Sequence, residues 1–219
     1  MEEFTREALE EIKMLNNNSL NMRLPLEEKI TSPWDLFLIL DLLRKESKEG
    51  IHAKEDFIKE EFSIVKGALY AGKGASIGSF AKIVGPVILG EGAQICDYGY
   101  ILGPAIIGSR ARISAQVARS IILSGTQAVH RDTYIGDSIV GRDCNFGAGT
   151  ITGNVRFDGK SPMLAYGEKN YEPGRERLGA IIEHKVKLGI NSNLKPGTYI
   201  SAGELWIGNN KYEGKKRNN

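Results

Sequence analysis

The chain is poor in the residues that mark several function classes. Among its 219 residues are two cysteines, Cys96 and Cys144, three histidines and seven prolines. Two cysteines with no CxxC pair and no paired-histidine spacing exclude the common zinc modules, and a structural disulfide is not expected. A chain of this length buries enough surface to hold a core without such staples. Neither sign of charge dominates: 29 Lys and Arg face 27 Asp and Glu, mixed along the chain. No basic face is therefore set up for nucleic acid. Long apolar runs are also missing. The longest, Trp34 to Leu43, contains Asp35 and Asp41 and falls short of the roughly 20 residues a membrane span needs. The start, MEEFTREALEEIKML, is acidic and amphipathic, the opposite of a signal peptide. These absences lead to an expectation of a cytoplasmic protein with no membrane, nucleic-acid or metal partner.

Glycine is abundant instead. There are 26, about twice ordinary usage, and their placement is periodic. Stepping by six from Ala71 gives Ala71, Ile77, Ile83, Leu89, Ile95, Ile101, Ile107 and Ile113. Four residues after each stand Ala75, Ala81, Val87, Ala93, Gly99, Ala105, Ala111 and Val117. Glycine follows the slot at 72, 78, 90 and 108. A helix repeats at 3.6 residues and an ordinary strand at 2, so neither accounts for a strict six. Short strands that turn a tight corner every six residues do. The aliphatic points inward, a small residue fits beneath the corner, and glycine admits backbone angles closed to other residues. Such coils stack into a parallel β-helix, in which each coil needs its neighbours to bury its face. The pattern resumes at Ile182, Leu188, Leu194, Ile200 and Trp206. Between the two runs the step shortens once, near Ile135, Val140 and Phe146.

The expected organisation is an N-terminal helical segment over 1–60, a β-helix over 61–210 with an extended loop at 156–178, and a disordered basic tail at 211–219. The first helix is expected over 1–15, broken by Asn16 to Ser19. A second starts with Ser32 as N-cap and Pro33 in its first turn. Its apolar residues cover more than one stripe, so it must pack on the open end of the β-helix or on a partner chain. The loop, with two prolines and three glycines, is expected to act as an arm over a site on a neighbouring subunit.

The stretch from Tyr134 to Asn154, YIGDSIVGRDCNFGAGTITGN, resembles the glucosamine-1-phosphate acetyltransferase domain of bifunctional N-acetylglucosamine-1-phosphate uridyltransferases. Asn154 to Gly159, Gly174 to Ala180 and Ser32 to Leu36 are similar to the archaeal-type sugar-1-phosphate nucleotidylyltransferases. The resemblance covers about residues 30–208. It implies left-handed coiling, against the usual right-handed crossover, and hence an all-β, left-handed hexapeptide-repeat β-helix. It also implies a homotrimer and an acetyl-CoA-dependent acyltransferase of nucleotide-sugar biosynthesis acting on an amino-sugar phosphate. No glycine-rich nucleotide loop precedes residue 30, so pyrophosphorylase activity is not expected.

The resemblance assigns roles to named residues. His130 is the expected general base for the sugar amine, a task suited to imidazole. Tyr134, Asn145 and Asn154 are expected at the sugar phosphate, with Arg119 and Arg177 as cationic contacts. Ala148, Gly189 and Ile190 are expected to face acetyl-CoA. Two features depart from the family pattern. His130 stands four residues before Tyr134 instead of three, so that either a bulge re-aims it or the function has shifted. Gln116 stands where the family has an acid, and Arg119 only roughly replaces its lysine, although its fork of donors suits phosphate. Of the other histidines, His52 is expected at the surface and His184 in a turn. Zinc carbonic anhydrases of the same fold bind metal through three histidines, two of them five residues apart; the spacings between His52, His130 and His184 do not match. The alternative reading is a non-catalytic trimeric scaffold or regulatory partner of a separate nucleotidylyltransferase, docking through the helix at 33–43.

Overall fold

A computed structural model describes residues 1–19 and 29–212. Most of the chain winds as a left-handed parallel β-helix with three flat faces. The first face has eight strands, from Gly50–Ala53 to Thr198–Ile200. The second runs from Ile58–Lys59 to Leu205–Ile207, and the third from Ile64–Lys66 to Asn193–Leu194. Strands in each face pair in parallel, mostly eighteen residues apart, as Leu69 with Val87 and Ser76 with Gln94. Three hexapeptides thus make one coil.

The aliphatic slots fill the interior. Ile77, Ile83, Leu89, Ile95, Ile101, Ile107 and Ile113 belong to one buried cluster, with Ala75, Ala81, Ala93 and Ala111 beneath the corners. Val117 is not a corner residue. It pairs with Ile101 and Ile135 and points into the core. The phase therefore slips early: Ile106 pairs with Ile121, fifteen residues on, where Ile88 pairs with Ile106 at eighteen.

The β-helix begins at Gly50, ahead of the expected boundary at 61. Its first coil carries Lys59 in an inward slot at the open end, where the side chain reaches water, so the hexapeptide pattern fades although the strands continue. At the other end Asn210–Lys211 folds back antiparallel on Leu205–Ile207. The expected tail thus starts later than 211, and its remainder, 213–219, lies outside the described residues.

The helices pack on a flank of the β-helix and not on its open end. Helix α1 (Glu2–Ser19) and helix α2 (Phe37–Glu46) lie against the outer side of the first face. That side presents Ile88, Ile106, Ile121, Ile139 and Ile181, all buried beneath Phe4, Ala8, Ile12, Leu36, Ile39 and Leu43. A parallel sheet covered on both sides reads apolar throughout, as this face does. Helix α1 runs past its expected end because Leu15 and Asn16 are buried, and packing outweighs the low helix propensity of asparagine. A 3₁₀ turn, Pro33–Leu36, leads into α2, with the Asp35 carboxylate accepting bonds from the Ser32 amide and hydroxyl.

Much of the expected arm also folds onto its own chain. Leu164–Tyr166 and Lys169–Tyr171 form a hairpin. Leu164 and Leu178 join the outer core, Tyr171 packs on Trp34, and the Arg175 guanidinium covers the Phe37 ring. Val155 and Phe157 remain exposed.

Candidate functional site

Two corners of the β-helix hold most of the expected site residues. The first joins the second face to the third. Its turn at 129–133 is one residue longer than the turn at 147–150 in the next coil, so the extra residue before Tyr134 is absorbed here as a bulge. His130 sits on that bulge, exposed, beside Arg131 and Asp132. Together with Asp97, Tyr98, Ser114 and Ala148 it lines a shallow cavity of about 510 Å³. The next coils bring Ala148 and Gly189–Ile190 into the same column: the Asn191 amide donates to the Ala148 carbonyl at 2.7 Å, and Gly147 stacks directly on Gly189 and Ile190. Ile190 is 67% exposed. Above His130 the column continues as Tyr98, Phe80 and Phe62, stacked with ring centroids 5.2 Å apart, and Arg131 lies over the Tyr98 ring.

The second corner joins the third face to the first. Arg119 and Asp137 occupy it on successive coils, both with positive φ, of 48°. The Arg119 fork donates to Asp137 through Nε and one terminal nitrogen, each at 2.7 Å. These bonds, reinforced by the carboxylate charge, hold the guanidinium more firmly protonated, against the opposing effect of its burial. Asn154 Nδ2 donates to Asp137 at 2.5 Å and to the Tyr134 hydroxyl oxygen at 3.3 Å. Asp137 also anchors the loop by its backbone: its carbonyl accepts from the Gly179 amide, where the excursion returns.

The motif at 134–137 has a local explanation. Ile135 faces the core. The Tyr134 ring lies back along its own strand over Gly136, where a Cβ would come within 2.3 Å of the tyrosine oxygen. Glycine at 136 therefore lets the hydroxyl reach the Asp137 corner. Beneath it buried hydroxyls take over ladder bonds. The Gly136 amide donates to Thr152 Oγ1, the Ser138 amide to Ser120 Oγ, and the Ala180 amide to Ser138 Oγ.

The structure thus brings together Arg119, Tyr134 and Asn154, and separately His130, Ala148, Gly189 and Ile190. Gln116 lies between Tyr100 and Tyr134 in the third-face ladder. Arg177 is exposed next to Leu178, whose amide donates to the Asn154 carbonyl. Asn145 stands apart on the second face, outward and exposed between Gln127 and Lys187. Asp137 and Gly136 were missed by the sequence reading. Their signal was positional: Asp137 lies eighteen residues after Arg119, one full coil.

The other histidines play structural parts. His184 Nδ1 accepts from the Arg142 amide at 2.9 Å, and its Nε2 lies 2.8 Å from Glu7 of α1. Burial, and then the Arg142 charge, depress its pKa below the usual imidazole value. His52 is exposed and stacks on Tyr70. Among the described residues no cluster of His, Cys, Asp or Glu could hold a metal, and no helix is long and apolar enough to cross a membrane.

No protein-family model matches the chain. It is 43% identical over 97 residues to the bifunctional protein GlmU of Methanococcus aeolicus, a match covering 44% of this chain and 23% of that protein. It is 42% identical over 89 residues to the bifunctional sugar-1-phosphate nucleotidylyltransferase/acetyltransferase of Sulfurisphaera tokodaii, covering 41% of this chain and 22% of that one. Part of the chain is homologous to part of these bifunctional proteins. It spans less than a quarter of their length. Among solved structures it is similar to a hexapeptide transferase family protein from Anaplasma phagocytophilum, at 20% identity and a TM-score of 0.42, over 74% of this chain and 76% of that one.

Proposed function

We propose that this chain is an acyl-CoA-dependent N-acyltransferase, with acetyl-CoA as donor and an amino-sugar phosphate such as glucosamine-1-phosphate as acceptor. The observation that carries the reading is the meeting of Tyr134 and Asn154, twenty residues apart in sequence, at one end of third-face strands whose other end is the corner of His130 and Ala148. The acetyltransferase named in the Sulfurisphaera tokodaii relative supports it.

In this reading the acceptor lies along the third face between the two corners. His130, exposed on its bulge, takes the proton from the amine as the nitrogen attacks the thioester carbonyl. The carbon–sulfur bond breaks, the acyl group passes to nitrogen, and the thiolate leaves as thiol with the proton that His130 took up. The column of Ala148, Gly189 and Ile190 offers small side chains and open backbone along which an extended pantetheine arm can lie. Arg119 is committed to Asp137, so its role is to shape the corner. Arg177, exposed beside Asn154, is the cation assigned to the phosphate. Asn145, outside this line, contacts the acceptor only from a second subunit, which fits the homotrimer in which we place the active form. The compartment in this reading is the cytoplasm.

The test is thiol release from acetyl-CoA with glucosamine-1-phosphate, alongside His130→Ala. Acceptor-dependent release is expected, with loss of about 10²-fold or more in the variant and an unchanged sedimentation coefficient. Unchanged turnover in His130→Ala would remove the histidine from the mechanism. No release with any amino-sugar phosphate, and no binding of acyl-CoA by calorimetry, would refute the acyltransferase itself.

A further inference from the structure

We propose that Asp137 is a positioning residue that fixes which polar atoms Asn154 and Tyr134 turn toward an acceptor hydroxyl. The inference rests on the reading that this corner holds the acceptor. Its physical basis is the donor and acceptor inventory of the four groups.

Asp137 is 7% exposed and faces three donors: Arg119 through two nitrogens and Asn154 through Nδ2. An ionised carboxylate only accepts. The two ends of an asparagine amide are nearly alike in shape, and only their partners tell them apart. Beside a carboxylate already paired with arginine, only the NH₂ end of Asn154 can sit. Both protons of that NH₂ are then committed, one to Asp137 and one to the Tyr134 oxygen. That oxygen accepts from Asn154. The tyrosine's own proton is left over, and no described residue accepts it. The Asn154 side-chain oxygen, Oδ1, likewise receives no bond from a described residue. The corner therefore presents one hydroxyl donor and one amide acceptor, side by side.

That pair matches a group that both donates and accepts, which a sugar hydroxyl does and a phosphate oxygen does not. The carboxylate also neutralises Arg119, so the corner carries no free positive charge of its own. The phosphate of the acceptor is thereby left to Arg177 at the outer edge of the corner, and the ring hydroxyl to the Tyr134–Asn154 pair. Without Asp137 the Asn154 amide can turn over, and two donors or a mismatched pair would meet the hydroxyl.

The experiment compares wild type, Asp137→Asn and the exchanged pair Asp137→Asn/Asn154→Asp, using glucosamine-1-phosphate as acceptor. The expected result for Asp137→Asn is a rise of about tenfold or more in the acceptor KM, the worth of a mispaired hydrogen bond, with the acetyl-CoA KM unmoved. The exchanged pair restores the denaturation midpoint, because a carboxylate again meets an amide, but not the acceptor KM, because the atoms facing outward have changed. Recovery of both together would mean a purely structural role and overturn the inference. A second readout does not depend on turnover. By NMR both side-chain amide protons of Asn154 should be protected from exchange in the wild type and exposed in Asp137→Asn. Equal protection in the two proteins overturns the inference, whether or not the wild type is active. Absence of transfer in the wild type with this NMR difference present would defeat the functional reading and leave the orientation standing. If Asp137→Asn does not fold, Asn154→Asp takes its place. It sets two carboxylates together, one of which should stay protonated to an abnormally high pH. Its acceptor KM should then recover as the pH falls, and a pH-independent KM would overturn the proposal.

Discussion

Gly136 offers a test of the site geometry that does not depend on the chemistry. A methyl group added there would stand 2.3 Å from the Tyr134 oxygen and 2.6 Å from two of its ring carbons. The backbone at 136 needs no left-handed angle, so Gly136→Ala carries only a side-chain clash. The obstacle is the far end of a flexible side chain, which can swing out by breaking its bond with Asn154. Overpacking of this kind costs about 1–3 kcal/mol. Stiffening the unfolded chain returns about 0.4–1 kcal/mol. In the wild-type background a net loss is expected, worth roughly 2–4 °C of melting temperature per kcal/mol for a chain of this size. In a Tyr134→Ala background the clash is gone and only the gain remains, so Gly136→Ala should be neutral to stabilising there. The coupling between the two changes is therefore about 1–3 kcal/mol. Urea denaturation at one fixed protein concentration measures it. Equal losses in both backgrounds would show that the tyrosine ring does not lie over Gly136, and the account of the Tyr–Ile–Gly–Asp motif would fail with it.

Two further outcomes follow from the packing. His184 accepts the Arg142 amide only as the neutral ring, and burial depresses its pKa; the stability it contributes is whole above the ordinary imidazole pKa of about 6.5 and declines as the pH falls through that value toward the depressed one. His184→Asn, which keeps an acceptor at the same place, should flatten the acid side of a stability–pH profile, and an unchanged slope would remove His184 as its cause. Ile101→Ala, at a fully buried slot between Ile83 and Val117, should cost about 2–5 kcal/mol, read as a lower urea midpoint; a loss under about 1 kcal/mol would mean that the coils close over the cavity.

The interior was legible because it is periodic. Ile77 to Ile113 repeat without a miss and all point inward. The covering of the first face was less legible. Its strands carry two aliphatics in a row, as Ile88–Leu89, Ile106–Ile107, Ile121–Ile122, Ile139–Val140 and Ile181–Ile182, and both members are buried. The third face carries Ile83–Val84 and Ile101–Leu102 as well, with only the first of each pair buried, so aliphatic pairs alone do not place the helices on a flank instead of an end. The Asp137 corner was less accessible. A hydrogen bond between Arg119 and Asp137 depends on coil length, and coil length changes nearby. Nothing in the residue types separates a corner aspartate that binds an arginine from one exposed to water, such as Asp143.

The irregular coils and the candidate site coincide, and there is a physical reason. From Ile113 the inward residues are Val117, Ile122, Ala128, Ile135 and Val140, at steps of four, five, six, seven and five, whereas before Ile113 the step is a constant six. A strictly periodic β-helix stacks every corner above the last and presents flat ladders with no projecting group. A shortened step pulls one corner in and a lengthened one pushes the next corner out. The seven-residue step is the one that carries the His130 bulge. It offsets the five-residue step from Val117 to Ile122, so that Val117 and Ile135, and with them the Arg119 and Asp137 corners, stay in register eighteen residues apart. Local rules of sequence and fold fail together where a surface must do something other than stack. Restoring the regular step by deleting Arg131 should therefore leave the coils on either side intact while withdrawing His130 from the cavity it lines.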